Sequence, residues 1–457
     1  MLLFFFFGLT MAANAQNVYI PDANFKNYLL NNASINTNGD GEIQASEAAA
    51  FTGMISVDGD NIYDLTGIEA FTSLTSLICR SNYLTSLDVS SNTALKSLDC
   101  WNNQVSSLDV SANTGLTYLR CGSNPVTNLD VSHNSALKEL NCAGSPLASL
   151  NTSANPQLSE LYCGNCHLTS LDVSHNTALT KFYCDLNQLT SLDVSANTAL
   201  VELSCGSNQL THLDVSTNTA LIQLICQRNP LGSLDVSANV NLTELICNED
   251  QLTSLNVSAN TALRSLVCSR NHLTALNVSS NTALTMLECG INQITALDVS
   301  GCTALSDFLC DNNQLTGLNM QNGNNANLQF FNAINNPGLH CIQVDNVAYA
   351  NTNWANSKDA SAVYSTNCGL TGIAVADEGN GAPVLENTGR GIFILWMPTR
   401  GFDKILVRDE LGNRLLECNC QNKDSQQIDL GGQAAGIYFL EILSGNEKLV
   451  RKVAVQQ

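Results

Sequence analysis

Hydrophobic residues recur along the chain with a fixed period of 21 residues, from about Leu74 to Gly323. One unit begins at Leu179 and carries Phe182 at its fourth position, Cys184 at its sixth and Asn187 at its ninth. The second half of the unit repeats a similar spacing, in the form Leu-Asp-Val-Ser-x-Asn. A fixed period of this length indicates stacked structural units rather than a helical bundle.

The sixth position is cysteine in twelve successive units. These residues are Cys79, Cys100, Cys121, Cys142, Cys163, Cys184, Cys205, Cys226, Cys247, Cys268, Cys289 and Cys310. Side chains two residues apart on a strand share a face, so the Leu and Cys of the Leu-x-Cys step are expected to face the core. We interpret the column as core packing. We expect reduced thiols, because neighbouring strands hold parallel side chains ~4.8 Å apart, farther than a disulfide allows.

This pattern resembles the leucine-rich-repeat family, in its short bacterial form with a nested double consensus. The resemblance implies a mainly β solenoid with short extended segments on both sides, and a ligand-binding protein without chemistry of its own. We place the solenoid at residues 54–338 and its C-terminal cap at 339–368. A disulfide between Cys341 and Cys368 is expected in an exported protein, the alternative being two independent thiols.

The N-terminal segment, residues 16–53, has helical spacing in Asp22–Leu30, followed by an Asn- and Gly-rich loop and a second helical start. The loop resembles an EF-hand calcium loop with Gly41 at the sharp turn. The implied oxygen ligands are the side chains of Asn36, Asn38, Asp40, Gln44 and Glu47 and the carbonyl of Glu42. Calcium is therefore the expected cofactor. A helical cap without metal is the alternative.

The two ends of the chain indicate export. Residues 1–15 read as a signal peptide, with an apolar run and an Ala-Asn-Ala cleavage site. Beyond a linker at 369–385, residues 386–457 contain short alternating strands and a hairpin turn at Asp409–Asn413. This pattern predicts a C-terminal β-sandwich. Segments such as Gly436–Ile442 resemble the C-terminal sorting domain of type IX secretion substrates. That resemblance implies the type IX machinery as a partner and release from the cell or attachment to its surface.

The composition excludes several classes of function. Acidic residues outnumber basic ones 40 to 19, and the net charge of −21 argues against binding to nucleic acid. No sequence of transmembrane length follows the N-terminal segment, so no transmembrane segment is expected in the mature chain. No catalytic motif is recognisable, and we expect a binding protein rather than an enzyme.

Variation between units is concentrated at the fifth position, on the face opposite Leu and Cys. There we expect the ligand face, with Trp101, Tyr118, Tyr162 and Tyr183 as the main contact cluster and Ile225, Ile246 and Val267 as an apolar row. The expected function is that of a secreted or cell-surface binding protein or adhesin, with an extracellular protein or polysaccharide as ligand. The alternative is a structural surface-layer component with no specific ligand.

A column of aspartates in the second half-turn, from Asp88 to Asp298, would place like charges ~5 Å apart. Either solvent screening or cations bound along the row would offset the repulsion.

Overall fold

The computed structural model describes residues 16–368 and, beyond them, 384–389, 392–396, 402–409, 413–423, 425–430, 433, 436–444 and 447–455. The expected signal peptide and most of the expected linker lie outside these residues. The chain forms two compact units, Met1–Asn208 and Gln209–Gln457. The helices are α1 Ala23–Leu30, α2 Ala45–Ala50 and α3 Val347–Asn353, with 3-10 turns at Ile68–Ala70 and Asn325–Asn327.

The first unit contains eight parallel strands of three residues each. They are β1 Met54–Ser56, β2 Ser76–Ile78, β3 Ser97–Asp99, β4 Tyr118–Arg120, β5 Glu139–Asn141, β6 Glu160–Tyr162, β7 Lys181–Tyr183 and β8 Glu202–Ser204. Ser76 pairs with Ser97, and Ser97 with Tyr118, so equal positions of successive repeats lie side by side. The predicted leucine-rich-repeat solenoid is confirmed.

The second unit continues the pattern with six parallel strands. From β13 onward, strands of a second parallel sheet lie between them in the sequence. The first set is β9 Gln223–Ile225, β10 Glu244–Ile246, β11 Ser265–Val267, β12 Met286–Glu288, β14 Asp307–Leu309 and β16 Phe330–Asn332. The second is β13 Ala296–Asp298, β15 Gly317–Asn319, β17 Cys341–Gln343 and β18 Val363–Ser365. Within residues 16–295, the second half-turns carry no strand, although the sequence predicted extended segments forming a sheet there.

Buried asparagine side chains explain this difference. In the second half-turn, the Asn113 amide nitrogen donates to the carbonyls of Val89 (3.0 Å) and Asn92 (2.9 Å) in the preceding coil. Backbone carbonyls that a strand partner would otherwise bond are thus taken by a side chain. The amide oxygen of Asn113 is buried and has no partner among the described residues. One coil differs, since the Thr152 hydroxyl donates to the equivalent oxygen of Asn176 at 2.7 Å.

A second asparagine ladder follows the cysteine column at the ninth repeat position. Asn103 donates to the carbonyls of Cys79 (3.0 Å) and Cys100 (3.1 Å) and accepts the N–H of Leu84 (3.0 Å), joining two coils. The same contacts recur at Asn124, Asn187 and Asn271. The ladder is interrupted by Ser145, Cys166 and Asp250.

The twelve column cysteines are buried and reduced in this structure. Burial raises the pKa of the Cys163 thiol, and the same cause acts along the column. They behave as small apolar side chains in the core of the solenoid.

The aspartate column is stabilised locally. Asp109 accepts the backbone N–H of Ser111 at 2.9 Å. Hydrogen bonds from the Ser111 hydroxyl and backbone lower the Asp109 pKa, and the charge of Asp130 opposes them only weakly. Each carboxylate is thus held by its own turn, which offsets the repulsion from its neighbours.

Aromatic residues close the C-terminal end of the solenoid. Trp354 packs against Phe331 (ring centroids 5.1 Å apart) and Tyr364 (6.2 Å), and the Tyr364 hydroxyl donates to the Trp354 carbonyl at 2.8 Å. A disulfide joins Cys341 to Cys368, with the Cα atoms 5.8 Å apart. These contacts cover core that a bare last coil would expose.

The C-terminal region is antiparallel. One sheet contains β19 Val384–Gly389, β20 Ile392–Trp396 and β23 Ser425–Asp429, and the other β21 Phe402–Asp409, β22 Arg414–Lys423, β24 Gly436–Ser444 and β25 Glu447–Val455. Ile428 joins Ile405 and Leu440 in one buried cluster, so the core draws on both sheets. The predicted hairpin turn is confirmed, since the Asp409 carboxylate accepts the N–H of Asn413 at 2.8 Å.

Candidate ligand face

Two stacked tyrosines occupy the fifth repeat position of β6 and β7. Tyr162 and Tyr183 pair in register, with ring centroids 5.0 Å apart and ring planes 24° from parallel. Their hydroxyls donate to the carboxylates of Glu160 (2.7 Å) and Glu202. The predicted adjacency of the two rings is confirmed. Both side chains are half-buried rather than fully exposed.

The hydrogen bonds to glutamate define the chemistry of this pair. Burial, reinforced by the neighbouring carboxylates, raises the pKa of both Tyr162 and Tyr183, so both phenols stay neutral at physiological pH. Lys181 lies between the two glutamates in the strand register, and its ammonium nitrogen is 3.8 Å from Glu160. On such a surface, a ligand can stack on the tyrosine rings while it donates hydrogen bonds to the carboxylates. A cation can also bind there. Sequence reasoning missed Glu160 and Glu202, because position three looked like ordinary solvated surface.

Asp185 follows Tyr183 by two residues, at the seventh repeat position. Its carboxylate accepts the Ser204 hydroxyl at 2.6 Å and the Gly206 N–H at 2.9 Å, and burial raises its pKa. Asp99, at the fifth position of β3, is also buried, with an exposed fraction of 4%. The expected exposure of the fifth-position side chains to solvent therefore fails at Asp99 and Ser204, which are both 4% exposed.

Among the described residues, no ring contact joins Trp101 or Tyr118 to the tyrosine pair, and the predicted four-residue cluster stays a prediction. Trp101 follows the end of β3 and folds over Gly122, where an added Cβ would lie 2.2 Å from its ring. Tyr118 begins β4 and packs under the Arg120 guanidinium, 4.9 Å from the ring centroid. Tyr118 and Gly122 are four residues apart along an extended chain, or about 13 Å. The repeat spacing places Trp101 at the seventh position and Tyr118 at the third, so the two residues occupy different points of their coils in the sequence as well.

The apolar row lies in the second unit. Ile225 pairs with Ile246, and Ile246 with Val267, in register on β9, β10 and β11. All three side chains are half-buried. The predicted adjacency is confirmed, and the ligand role of the row stays a prediction.

The N-terminal loop is held by its own hydrogen bonds. One Glu47 carboxylate oxygen accepts the N–H and hydroxyl of Thr37, each at 2.8 Å, and the other accepts the Gln44 N–H at 3.1 Å, in a capping box for α2. Asn38 donates to Asp40 (2.8 Å) and Gln44 (2.7 Å). Hydrogen bonds from the Glu42 N–H and the Gln44 amide lower the pKa of Asp40. Burial opposes the shift at Glu47, but hydrogen bonds from Gln44 and Thr37 still lower its pKa, so both carboxylates are ionised at neutral pH.

Two further contacts and one backbone angle bear on the calcium hypothesis. Asn36 accepts the N–H of Gly39 (3.1 Å), and the Glu42 carboxylate binds Lys26 at 2.8 Å. The left-handed residue of the loop is Gly39, with φ +70°, rather than Gly41, so the predicted role of Gly41 is wrong. Two carboxylates and several amide oxygens still suit calcium by type, but in this arrangement most already accept protein hydrogen bonds. Calcium binding stays a prediction.

Comparison with known proteins supports both the repeat and the export signal. Residues 391–456 match the secretion system C-terminal sorting domain family, which indicates export by type IX secretion. The functional domain of InlJ from Listeria monocytogenes, which includes a cysteine ladder, is 29% identical with a TM-score of 0.64. The match covers 95% of this chain and 96% of that chain.

Other similar structures share the fold. An internalin, InlF, from Listeria monocytogenes is 20% identical with a TM-score of 0.57, covering 74% of this chain and 99% of that chain. A leucine-rich-repeat protein from Leptospira interrogans is 20% identical with a TM-score of 0.55, covering 66% and 81%. No curated protein matches the chain. Among the described residues, no helix is long and apolar enough to cross a membrane.

Proposed function

We propose that this protein is an exported binding protein or adhesin that presents a leucine-rich-repeat face to an extracellular protein or polysaccharide. The observation that carries the proposal is the stacked pair Tyr162 and Tyr183, bordered by the carboxylates of Glu160 and Glu202. Variation from repeat to repeat lies on this face, whereas the second half-turn keeps its Asp-Ser turn with little change. A surface specialised for one ligand needs such a difference between faces. The sorting domain and the similarity to internalins support the extracellular setting.

Binding by the face is tested with the full mature chain. Glycan arrays and extracellular protein fractions would identify a ligand, and Tyr162→Ala and Tyr183→Ala would then be compared with wild type. Each substitution is expected to weaken binding by about 1–3 kcal/mol, because it removes one ring of the stack. His175→Ala, an exposed residue of the second half-turn, is the matched control. If a ligand binds both tyrosine variants as tightly as wild type, its site is elsewhere.

A structural surface-layer component without a specific ligand is the second candidate. It predicts no selective binding on arrays and no effect of the tyrosine substitutions on surface assembly.

We further propose that residues 386–457 direct the chain through the outer membrane. Deleting them is expected to retain the protein in the periplasm, measured by fractionation and surface proteolysis. Normal surface delivery of the truncated chain would show that this region has another role.

A further inference from the structure

We propose that Cys142 and Cys166 form a disulfide across adjacent coils when the protein folds in an oxidising compartment. This modification lies outside the proposed ligand function and outside the disulfide of the C-terminal cap.

In the first unit, Cys166 replaces the asparagine of the ninth repeat position. Its side chain points in a different direction from those of the cysteine column. At the equivalent position of the next coil, the Asn187 amide crosses to the preceding coil and lies 2.9 Å from the Cys163 carbonyl. Cys166 crosses in the same way, and its Sγ lies 3.3 Å from the carbonyl oxygen of Cys142. A side chain that crosses toward its neighbour can meet a column cysteine, whereas column cysteines run parallel to one another.

Cys142 and Cys166 are neighbours in the core. The Cys166 thiol donates to the carbonyls of Cys142 (3.3 Å) and Gly164 (3.5 Å), and the Cys142 thiol donates to the carbonyl of Tyr162 (3.7 Å). The interaction between the two thiols raises the pKa of Cys142 and lowers that of Cys166. Interaction with Cys142 lowers the pKa of the Cys166 thiol, whereas burial raises the pKa of Cys163 three residues earlier. Cys166 is therefore the more nucleophilic thiol in this part of the core.

The neighbouring ladder position supports this assignment independently. Ser145 stands one coil before Cys166 and also replaces asparagine. Its hydroxyl is buried and has no hydrogen-bond partner among the described residues. Two successive asparagines are thus replaced, and at Cys142 the contact of the Cys166 thiol stands in place of the amide hydrogen bond that joins the other coils. A covalent bond at this point would replace that contact.

The chemistry balances with a small-molecule disulfide as oxidant, such as oxidised glutathione. The Cys166 thiolate attacks one sulfur of that disulfide, which forms a mixed disulfide and releases one thiolate. Cys142, after losing its proton to solvent, attacks the Cys166 sulfur and displaces the second thiolate. Two protein thiols lose two electrons and two protons, and the oxidant becomes two thiols. Because both sulfurs are buried in the folded chain, the exchange must precede closure of the core or accompany local opening.

The test uses the full mature chain, exported to an oxidising periplasm and isolated with N-ethylmaleimide. Digestion without reductant and mass spectrometry should reveal a Cys142–Cys166 peptide beside Cys341–Cys368, with the remaining column cysteines alkylated. Reduction before alkylation should add two labels for the new pair.

Matched variants make the outcome decisive. Cys166→Asn restores the ladder residue and should raise the number of labelled thiols by one, because Cys142 is released. Cys142→Ala should also raise it by one. Cys302→Asn, at a cysteine that replaces the buried asparagine of a second half-turn and whose sulfur lies 3.8 Å from the Val278 carbonyl, should lower it by one. A loss of one label in Cys166→Asn, or a Cys163–Cys166 peptide instead, would overturn the proposal.

Discussion

Asp250 is the ladder position where substitution is expected to change stability most. It stands where other coils have asparagine, with both carboxylate oxygens in the core. One oxygen accepts the Asn229 N–H at 2.8 Å and the other accepts the Cys226 thiol at 3.4 Å. An ionised carboxylate has no N–H to donate, whereas the next ladder residue, Asn271, donates to the carbonyls of Cys247 and Cys268.

The electrostatic consequence follows from the pKa. Burial raises the pKa of Asp250 from 3.8 to about 7, and the charge of Glu249 adds to the shift. The unfolded chain therefore ionises at lower pH than the folded chain. Ionisation of Asp250 therefore lowers the free energy of unfolding as pH rises. The loss begins near pH ~4 and is complete above pH ~7. The full shift corresponds to roughly 4 kcal/mol, an upper limit because local relaxation reduces it.

Asp250→Asn should remove this penalty and supply the missing amide donor. We expect the variant to be more stable than wild type by about 1–4 kcal/mol at pH 8, with a smaller gain at pH 5. Urea unfolding followed by tryptophan fluorescence at the two pH values measures the difference, and other titrating groups cancel between the two proteins.

The reverse substitution is the control. Asn271→Asp, one coil later, should lower stability at pH 8 and steepen the dependence on pH. Equal stability of Asp250→Asn and wild type at pH 8, or a gain that does not change with pH, would refute the reasoning.

Other predictions concern the N-terminal loop, the two sets of buried asparagines and the cysteine column. If the N-terminal loop binds calcium, Glu47→Gln should remove most of the affinity measured by calorimetry, because it loses a carboxylate ligand. Absence of any calcium heat in wild type would favour the metal-free cap. Val131→Thr should change stability by less than about 0.5 kcal/mol, because its hydroxyl can reach the unpartnered Asn155 oxygen as Thr152 does at Asn176. Val105→Thr should cost about 1–3 kcal/mol in the same urea assay, because the neighbouring asparagine oxygen already accepts a backbone N–H. Labelling of denatured, unreduced protein should find most column thiols reactive, and near-complete protection would contradict their role as apolar core.

The repeat period determined the larger part of this fold. In a solenoid, residues 21 apart lie side by side, so the spacing of Leu77, Leu98 and Leu119 alone sets the strand register. The same rule is sufficient to place Tyr162 beside Tyr183 and Ile225 beside Ile246. The C-terminal hairpin was equally predictable, because its turn chemistry is local.

Only the tertiary structure decided what individual side chains do within that register. The ring of Trp101 folds over Gly122 and that of Tyr118 packs under Arg120, because periodicity fixes which residues lie side by side and not the direction of a side chain. The absence of strands in the second half-turns of residues 16–295 depends on amides that reach 24 residues back, such as Asn113 to Val89. Cys166 meets Cys142 through the same offset. These contacts join residues in neighbouring coils. They depend on how each coil stacks on the preceding one, which the sequence of a single repeat does not specify.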